Sequence, residues 1–329
     1  MKNQWYKLLV PNGELQLKGT LNGGQSFRWK KYLCEDKDSW IGVFANRLWI
    51  LRQERDCICY KVYEKNCTEN DENLYNNLLS NYFQLETRSQ EHYNTWSQVD
   101  PNFQEAAKQF YGIRILKQDI IENIFSFICS SNNNISRISS MVEKLAKFYG
   151  EEICQLDGDT YYSFPKVKLL AGESVEQQLK NNGFGYRAKY ISKSAQIIVQ
   201  NGGEQWLDEL KKMSYNDAKK SLMTLTGIGA KVADCICLMS LGHLQAIPVD
   251  THIYQIAKKF YMPNLAANKT VTEKVYNEIG DHFRKLYGPL AGWAHTVLFC
   301  ADLKKFQDDK KKNAKESVLG EPKKKRKKQ

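Results

Sequence analysis

The apolar period changes once along this chain, and that change limits the fold to a sheet followed by helices. Between about residues 26 and 63 the runs SFRWKKY, SWIGVF, RLWILRQ and CICYKVY are separated by polar turns such as Ala45-Asn46-Arg47. Short segments rich in Trp, Ile, Val, Phe and Tyr, broken in this way, read as an antiparallel meander. Asp100-Pro101 then suits an N-cap followed by proline at the first helical position. Beyond it Ile121, Ile124, Phe125 and Ile128 fall at i, i+3, i+4, i+7, as do Ile138, Met141, Val142 and Leu145, with Gly150 placed to end that helix. Further helices are expected at about 187–200, 215–225, 230–241, 251–261 and 289–304. The fold class is α+β: an N-terminal antiparallel β-sheet domain at 1–105, an all-α domain at 106–305, and a disordered basic tail at 306–329. No internal repeat is visible.

Charge is concentrated at one end. From Lys304 to Gln329 there are 12 Lys and Arg against 4 Asp and Glu, a net +8 that leaves only +3 of the chain's +11 for the rest. Bulk charge therefore says little about the folded part. Within the tail, PKKKRKK at 322–328 has the form of a nuclear localisation signal, so a nuclear import receptor is an expected partner and the nucleus the expected location. Nine cysteines, at 34, 57, 59, 67, 129, 154, 235, 237 and 300, are an odd number, and many sit in apolar contexts. Without a signal peptide they read as reduced thiols of an intracellular protein. No C-x-x-C pair or Cys/His cluster suggests a metal, no cofactor motif is present, and no apolar run is long enough for a membrane.

The stretch LTGIGAKVADC at 225–235 carries the chemistry. A helix capped by Ser214, with Asp217 three residues on, runs into Thr226-Gly227-Ile228-Gly229, and a second helix starts at once. In such a helix-hairpin-helix the open amides of Gly227, Gly229 and the next turn, Val232 included, can hold a backbone phosphate. Lys231 stands where the helix dipole disfavours an ammonium, so part of its amine is expected to be neutral, and only a neutral amine is a nucleophile. Cys235, four residues on, shares its face. Asp250, in PVDTHIYQIAKKF, falls at the N-cap of the next amphipathic helix.

Taken together, LTGIGAKVADCICLMSLGHLQAIPVDTH resembles the helix-hairpin-helix, Gly/Pro-rich, aspartate motif of DNA glycosylases, and its lysine places it with the bifunctional members. The eukaryotic 8-oxoguanine DNA glycosylase family is the best match. GGQSFRW (23–29), NYFQLE (81–86), FSFICSSNNNISRI (125–138), GFGYRAKYI (183–191) and GPLAGWAHTVLFCADL (288–303) extend the resemblance over most of residues 10–305.

The resemblance implies a TATA-binding-protein-like N-terminal sheet and an enzyme that flips a base out of duplex DNA before attacking its sugar. Lys231 corresponds to the nucleophile, and Asp250 to the carboxylate that stabilises charge on the sugar. Gly24 corresponds to the glycine whose carbonyl accepts from N7–H of 8-oxoguanine. Cys235 and Phe299 correspond to the pair that sandwiches the base, with Pro248 and His295 also lining the pocket; His295 stands where glutamine is usual. Because imidazole differs from an amide in geometry and, when protonated, cannot accept a hydrogen bond, His295 is expected to shift either base selectivity or its pH profile, the latter between pH 5.5 and 8. Asn132, Arg137 and Arg187 correspond to residues that hold the widowed cytosine, Tyr186 to the wedge, and His252 to a phosphate contact. The implied substrate is double-stranded DNA containing 8-oxoguanine opposite cytosine, acted on by a monomer without cofactor or metal.

Two other readings compete. Relatives that remove oxidised pyrimidines or mispaired adenine carry a four-cysteine iron–sulfur loop after the motif, whereas here only Cys300 follows Cys237. A non-catalytic helix-hairpin-helix DNA-binding protein would need neither Lys231 nor Asp250.

Overall fold

The computed structural model describes residues 4–65, 71–265 and 271–303; the basic tail with PKKKRKK, and Cys67, lie outside the described residues. Strands β1 (Tyr6–Leu9), β2 (Lys30–Cys34), β3 (Lys37–Phe44), β4 (Arg47–Gln53) and β5 (Cys57–Tyr63) form one antiparallel sheet in the order β1-β5-β4-β3-β2. Helix α1 (Leu17–Asn22) joins β1 to β2, and α2 (Glu72–Tyr82), α3 (Ser89–Val99) and α4 (Pro101–Ala107) follow the sheet. Next come α5 (Ile120–Ser130), α6 (Ile135–Tyr149), strands β6 (Glu152–Leu156) and β7 (Asp159–Tyr162), α7 (Val167–Leu170), α8 (Val175–Asn181), α9 (Arg187–Gln200) and α10 (Glu204–Leu210). The chain continues through α11 (Tyr215–Leu222), α12 (Ala230–Met239), α13 (Thr251–Ile256) with a π-turn at Ala257–Tyr261, α14 (Glu273–Tyr287) and α15 (Ala291–Asp302).

The meander expected from the alternating runs is β2–β5. Its central strands are buried almost end to end, because both faces are covered. Trp40, Trp49, Leu51 and Tyr60 face a core shared with Tyr75, Leu79 and Tyr82 of α2. Ile41, Val43, Leu48 and Ile50 face the other way, against Ile153 and Cys154 of β6.

That second cover corrects the all-helical reading of residues 106–305. β6 and β7 form a hairpin through Asp157-Gly158, both at positive φ (51° and 82°), the geometry that favours Asp-Gly in tight hairpins. The signal stood in CQLDGDTYY, but the strands are short and lie between long helical patterns. β1, α2 and α3 were also missed: β1 is a four-residue edge strand, and α2 and α3 carry mostly polar residues between their few core contacts.

Local signals read from sequence do appear. Asp100 caps α4, its carboxylate accepting from the Asn102 N–H at 2.8 Å, with Pro101 at the first position. The same carboxylate accepts from the Tyr261 hydroxyl at 2.6 Å and from the Tyr287 hydroxyl, so this cap also ties α4 to the later helices. Gly150 ends α6 and Ser214 caps α11. In the middle of the helical part, α12 is buried from Val232 to Met239, and α15 is buried from Ala291 to Leu298.

Candidate active site

The site starts at the turn between α11 and α12. Gly227 has φ +84°, and a Cβ there would lie 2.4 Å from the Tyr190 ring, so both conformation and space demand glycine. Gly229 caps α12 without a side chain and faces open space, leaving the first amides of the helix free to accept an anion. Lys231 is the second residue of α12. Its Nζ sits 5.1 Å from the centre of the Phe127 ring, and among the described residues it has no ion-pair partner. One turn on, burial pushes the Cys235 thiol up to about 11 although Lys231 opposes this, so the sulfur stays a neutral, polarisable wall.

Asp250 caps α13 as expected: Oδ1 accepts from the Ile253 N–H at 2.9 Å. The cap occupies one carboxylate oxygen and leaves the other uncommitted to it. Structural and chemical roles are therefore compatible in this residue.

Two connected spaces meet here. A small pocket of about 50 Å³ is lined by Gly24, Lys231, Cys235, Pro248, Asp250, His295 and Phe299, all of them residues the sequence pointed to. A broad groove of about 980 Å³ runs past it, lined by Asn132, Gly227, Gly229, Val232, His252 and others. Gly24, Phe127, Lys231, Asp250 and Phe299 belong to both, so the groove opens onto the nucleophile. The pocket is far smaller than the 300–1,000 Å³ typical of ligand sites, so a base must push its lining aside. Phe299, only partly buried at the mouth, is the side chain placed to give way.

Gly24 reaches the pocket from the N-terminal part of the chain. Its φ is +80°, and a Cβ would meet Phe299 at 3.6 Å. His295 forms a buried part of the pocket wall; it is 4% exposed, and among the described residues neither ring nitrogen has a hydrogen-bond partner. Burial pulls its pKa down to about 4, with Asp250 opposing and Lys231 assisting. This corrects the expected pH effect: at pH 5.5–8 the ring is already neutral, so its titration lies below that window.

Of the residues expected to hold the opposite strand, Asn132 lines the groove, whereas Arg137, Tyr186 and Arg187 are not part of its lining. The Arg187 guanidinium donates to the Ser131 carbonyl and, at 3.1 Å, to that of Asn132. The Tyr186 hydroxyl donates to the same Ser131 oxygen at 3.0 Å, and its ring lies 4.6 Å from the Arg187 guanidinium carbon. Arg137 donates to the Gly183 carbonyl at 3.3 Å. His252 also lines the groove, with Nδ1 3.0 Å from Asp302 Oδ2 and its ring edge-on to Phe299. Asp302 shares the face of α15 with His295 and Phe299 but pairs at the rim instead of lining the pocket.

Sequence reasoning missed Phe127, Leu238, Met239, Thr296 and Gln25 as pocket lining. All five lay inside quoted segments, but core and pocket residues have one pattern in sequence. Among the described residues no group of three or more His, Cys, Asp and Glu is arranged to hold a metal.

Residues 7–124 match the 8-oxoguanine DNA glycosylase N-terminal domain, and residues 125–281 match the HhH-GPD superfamily of base excision DNA repair proteins. The Arabidopsis thaliana N-glycosylase/DNA lyase OGG1 is 38% identical over 304 residues, covering 91% of this chain and 80% of that protein. The chain belongs to the 8-oxoguanine DNA glycosylase family. It is a base-excision-repair DNA N-glycosylase and lyase. The Saccharomyces cerevisiae N-glycosylase/DNA lyase is 35% identical, covering 92% of this chain and 87% of its own. Among solved structures of this family, MBOgg1 in complex with a low-affinity DNA ligand superposes with a TM-score of 0.79 at 31% identity, covering 92% of this chain and 96% of that one. The Clostridium acetobutylicum 8-oxoguanine glycosylase/lyase, bound to double-stranded DNA containing cytosine opposite 8-oxoguanine, superposes with a TM-score of 0.75 at 28% identity over 90% of this chain and 93% of its own.

Proposed function

We propose that this glycosylase flips 8-oxoguanine paired with cytosine out of the duplex into the pocket and removes it through Lys231. One observation carries the assignment of roles: a lysine without an ion pair among the described residues, a carboxylate and a positive-φ glycine line a single pocket that opens on the groove. The open amides at Gly229 and the start of α12 grip a phosphate. The nitrogen lone pair of Lys231 attacks C1′, and the base leaves with the electrons of the glycosidic bond. Asp250 stabilises the positive charge that develops on the sugar. Loss of a proton and opening of the sugar give an imine between Lys231 and C1′; removal of a C2′ proton then expels the 3′ phosphate and nicks the strand.

Selection rests on one atom. N7 of 8-oxoguanine bears a hydrogen that the Gly24 carbonyl can accept, whereas N7 of guanine faces it with a lone pair, a mismatch of about 1–3 kcal/mol. Neutral His295 offers one donor and one acceptor to the base edge, and its unpartnered nitrogens favour a ligand that satisfies them. Arg137, Arg187 and Asn132 suit the acceptors of the widowed cytosine, with Tyr186 as wedge and His252 as phosphate contact.

Borohydride trapping tests the assignment: an 8-oxoguanine·C duplex gives a covalent adduct with the parent chain and none with Lys231→Gln. An adduct that survives the substitution moves the nucleophile elsewhere. The complete pocket within one chain supports a monomer, which light scattering checks. PKKKRKK supports nuclear import; a fluorescent fusion lacking residues 322–328 then fails to accumulate in the nucleus.

A further inference from the structure

A carbonyl tells a donor from a lone pair only if it cannot turn away, because a shift of about 1 Å relieves the repulsion it imposes. Gly24 has no side chain to hold it and stands at φ +80°, in the most permissive of residues. Its carbonyl belongs to the planar peptide unit shared with Gln25, so whatever fixes Gln25 fixes the carbonyl.

Gln25 is buried and held at three points. Its side-chain amide donates to the Arg114 carbonyl at 2.7 Å and accepts from the Leu116 N–H at 2.9 Å. These are alternate backbone groups of a stretch in neither helix nor strand, so the side chain does the work of a missing strand partner. The Gln25 backbone carbonyl accepts from Gln118 Nε2 at 2.8 Å. Gln118 in turn donates its backbone N–H to the Met239 carbonyl at 2.8 Å. Met239 is the last residue of α12, the helix whose second residue is Lys231. Two glutamines thus tie the reading peptide and the nucleophile's helix into one frame.

We propose that Gln25 and Gln118 are positioning residues that set how well 8-oxoguanine is told from a base with a lone pair at N7. The proposal rests on the Gly24 reading. Loosening either glutamine lets the Gly24 carbonyl drift from the base plane, and selectivity falls before DNA binding does.

The test uses the full chain carrying Lys231→Gln, so that a flipped base is held without cleavage. Affinities are measured for duplexes with 8-oxoguanine, 8-bromoguanine or a tetrahydrofuran abasic analogue opposite cytosine. 8-Bromoguanine keeps a substituent at C8 but has a lone pair at N7. Gln118→Leu removes the bond to Gln25 and keeps its own N–H; Gln25→Glu keeps the acceptor and loses the donor. In each, the preference for 8-oxoguanine over 8-bromoguanine falls roughly tenfold and the abasic affinity stays at the parent's value; Tm is unchanged in Gln118→Leu and falls in Gln25→Glu, which sets a buried carboxyl oxygen against the Arg114 carbonyl. A parent with no preference sinks the Gly24 reading itself. A parent preference that both variants retain overturns the positioning role, as does a uniform loss over all three duplexes, which marks the glutamines as structural only.

Discussion

The pocket wall and the groove rim solve opposite problems with polar groups. At the wall, His295 is buried with both nitrogens unpartnered, a cost accepted in the absence of substrate. At the rim, Arg187, Arg137 and Tyr186 already donate to the carbonyls of Ser131, Asn132 and Gly183. On the proposed assignment, a base entering the pocket meets two unpartnered nitrogens, whereas a cytosine at Arg137 and Arg187 displaces bonds that exist, although Arg187 Nε too is unpartnered among the described residues. The net gain per contact is therefore larger in the pocket, and damage reading is more rigid than opposite-base reading.

The largest effect is expected where rigidity is greatest. Gly24→Ala forces a side chain into positive φ, which costs about 1–3 kcal/mol and is relieved by turning the carbonyl; excision of 8-oxoguanine in single turnover should fall about 100-fold. An alanine variant with parental rates would show that the wall is not rigid. His295→Leu should slow excision about tenfold while raising Tm, because it removes two orphaned nitrogens from the interior. A lowered Tm would mean that the ring finds partners in solution.

The same residue carries a pH signature. Its folded pKa of about 4 lies below the ordinary 6.5, so the unfolded chain binds the extra proton first. Stability conferred by keeping the ring neutral is complete above pH 6.5 and is lost as pH falls toward 4, by about 3 kcal/mol. Thermal unfolding should show the parent losing that much more than His295→Gln between pH 6.5 and 4. Excision from pH 5.5 to 8 should have the same profile in both.

The smallest effect belongs to the rim. Arg137 is exposed and makes one 3.3 Å bond to Gly183, so Arg137→Ala should lower the preference for cytosine over adenine opposite the lesion only a few-fold, at unchanged Tm. A loss as large as that at Gly24 would erase the contrast between wall and rim.

Local features were legible because their causes are local. The Asp100, Ser214 and Asp250 caps each depend on an amide two or three residues ahead, and the turn at Gly227 depends on φ. The β6–β7 hairpin was obscured by longer helical patterns on either side, although Asp157-Gly158 marked it. Pocket residues separated in the chain were legible only through resemblance: nothing near Gly24 says that it will meet Phe299.

By itself the sequence determined the order of sheet and helices, the gripping turn and the placement of Lys231 one turn before Cys235, since each follows from spacing within a few residues. The tertiary structure decided which groups lose water and which distant segments touch. Burial makes His295 neutral, Gln25 and Gln118 bond the segment after Gly24 to Arg114, Leu116 and Met239, and Arg137 and Arg187 rest on the carbonyls of Gly183, Ser131 and Asn132. Desolvation and pocket closure depend on partners far away in the chain, and no local pattern encodes their distance.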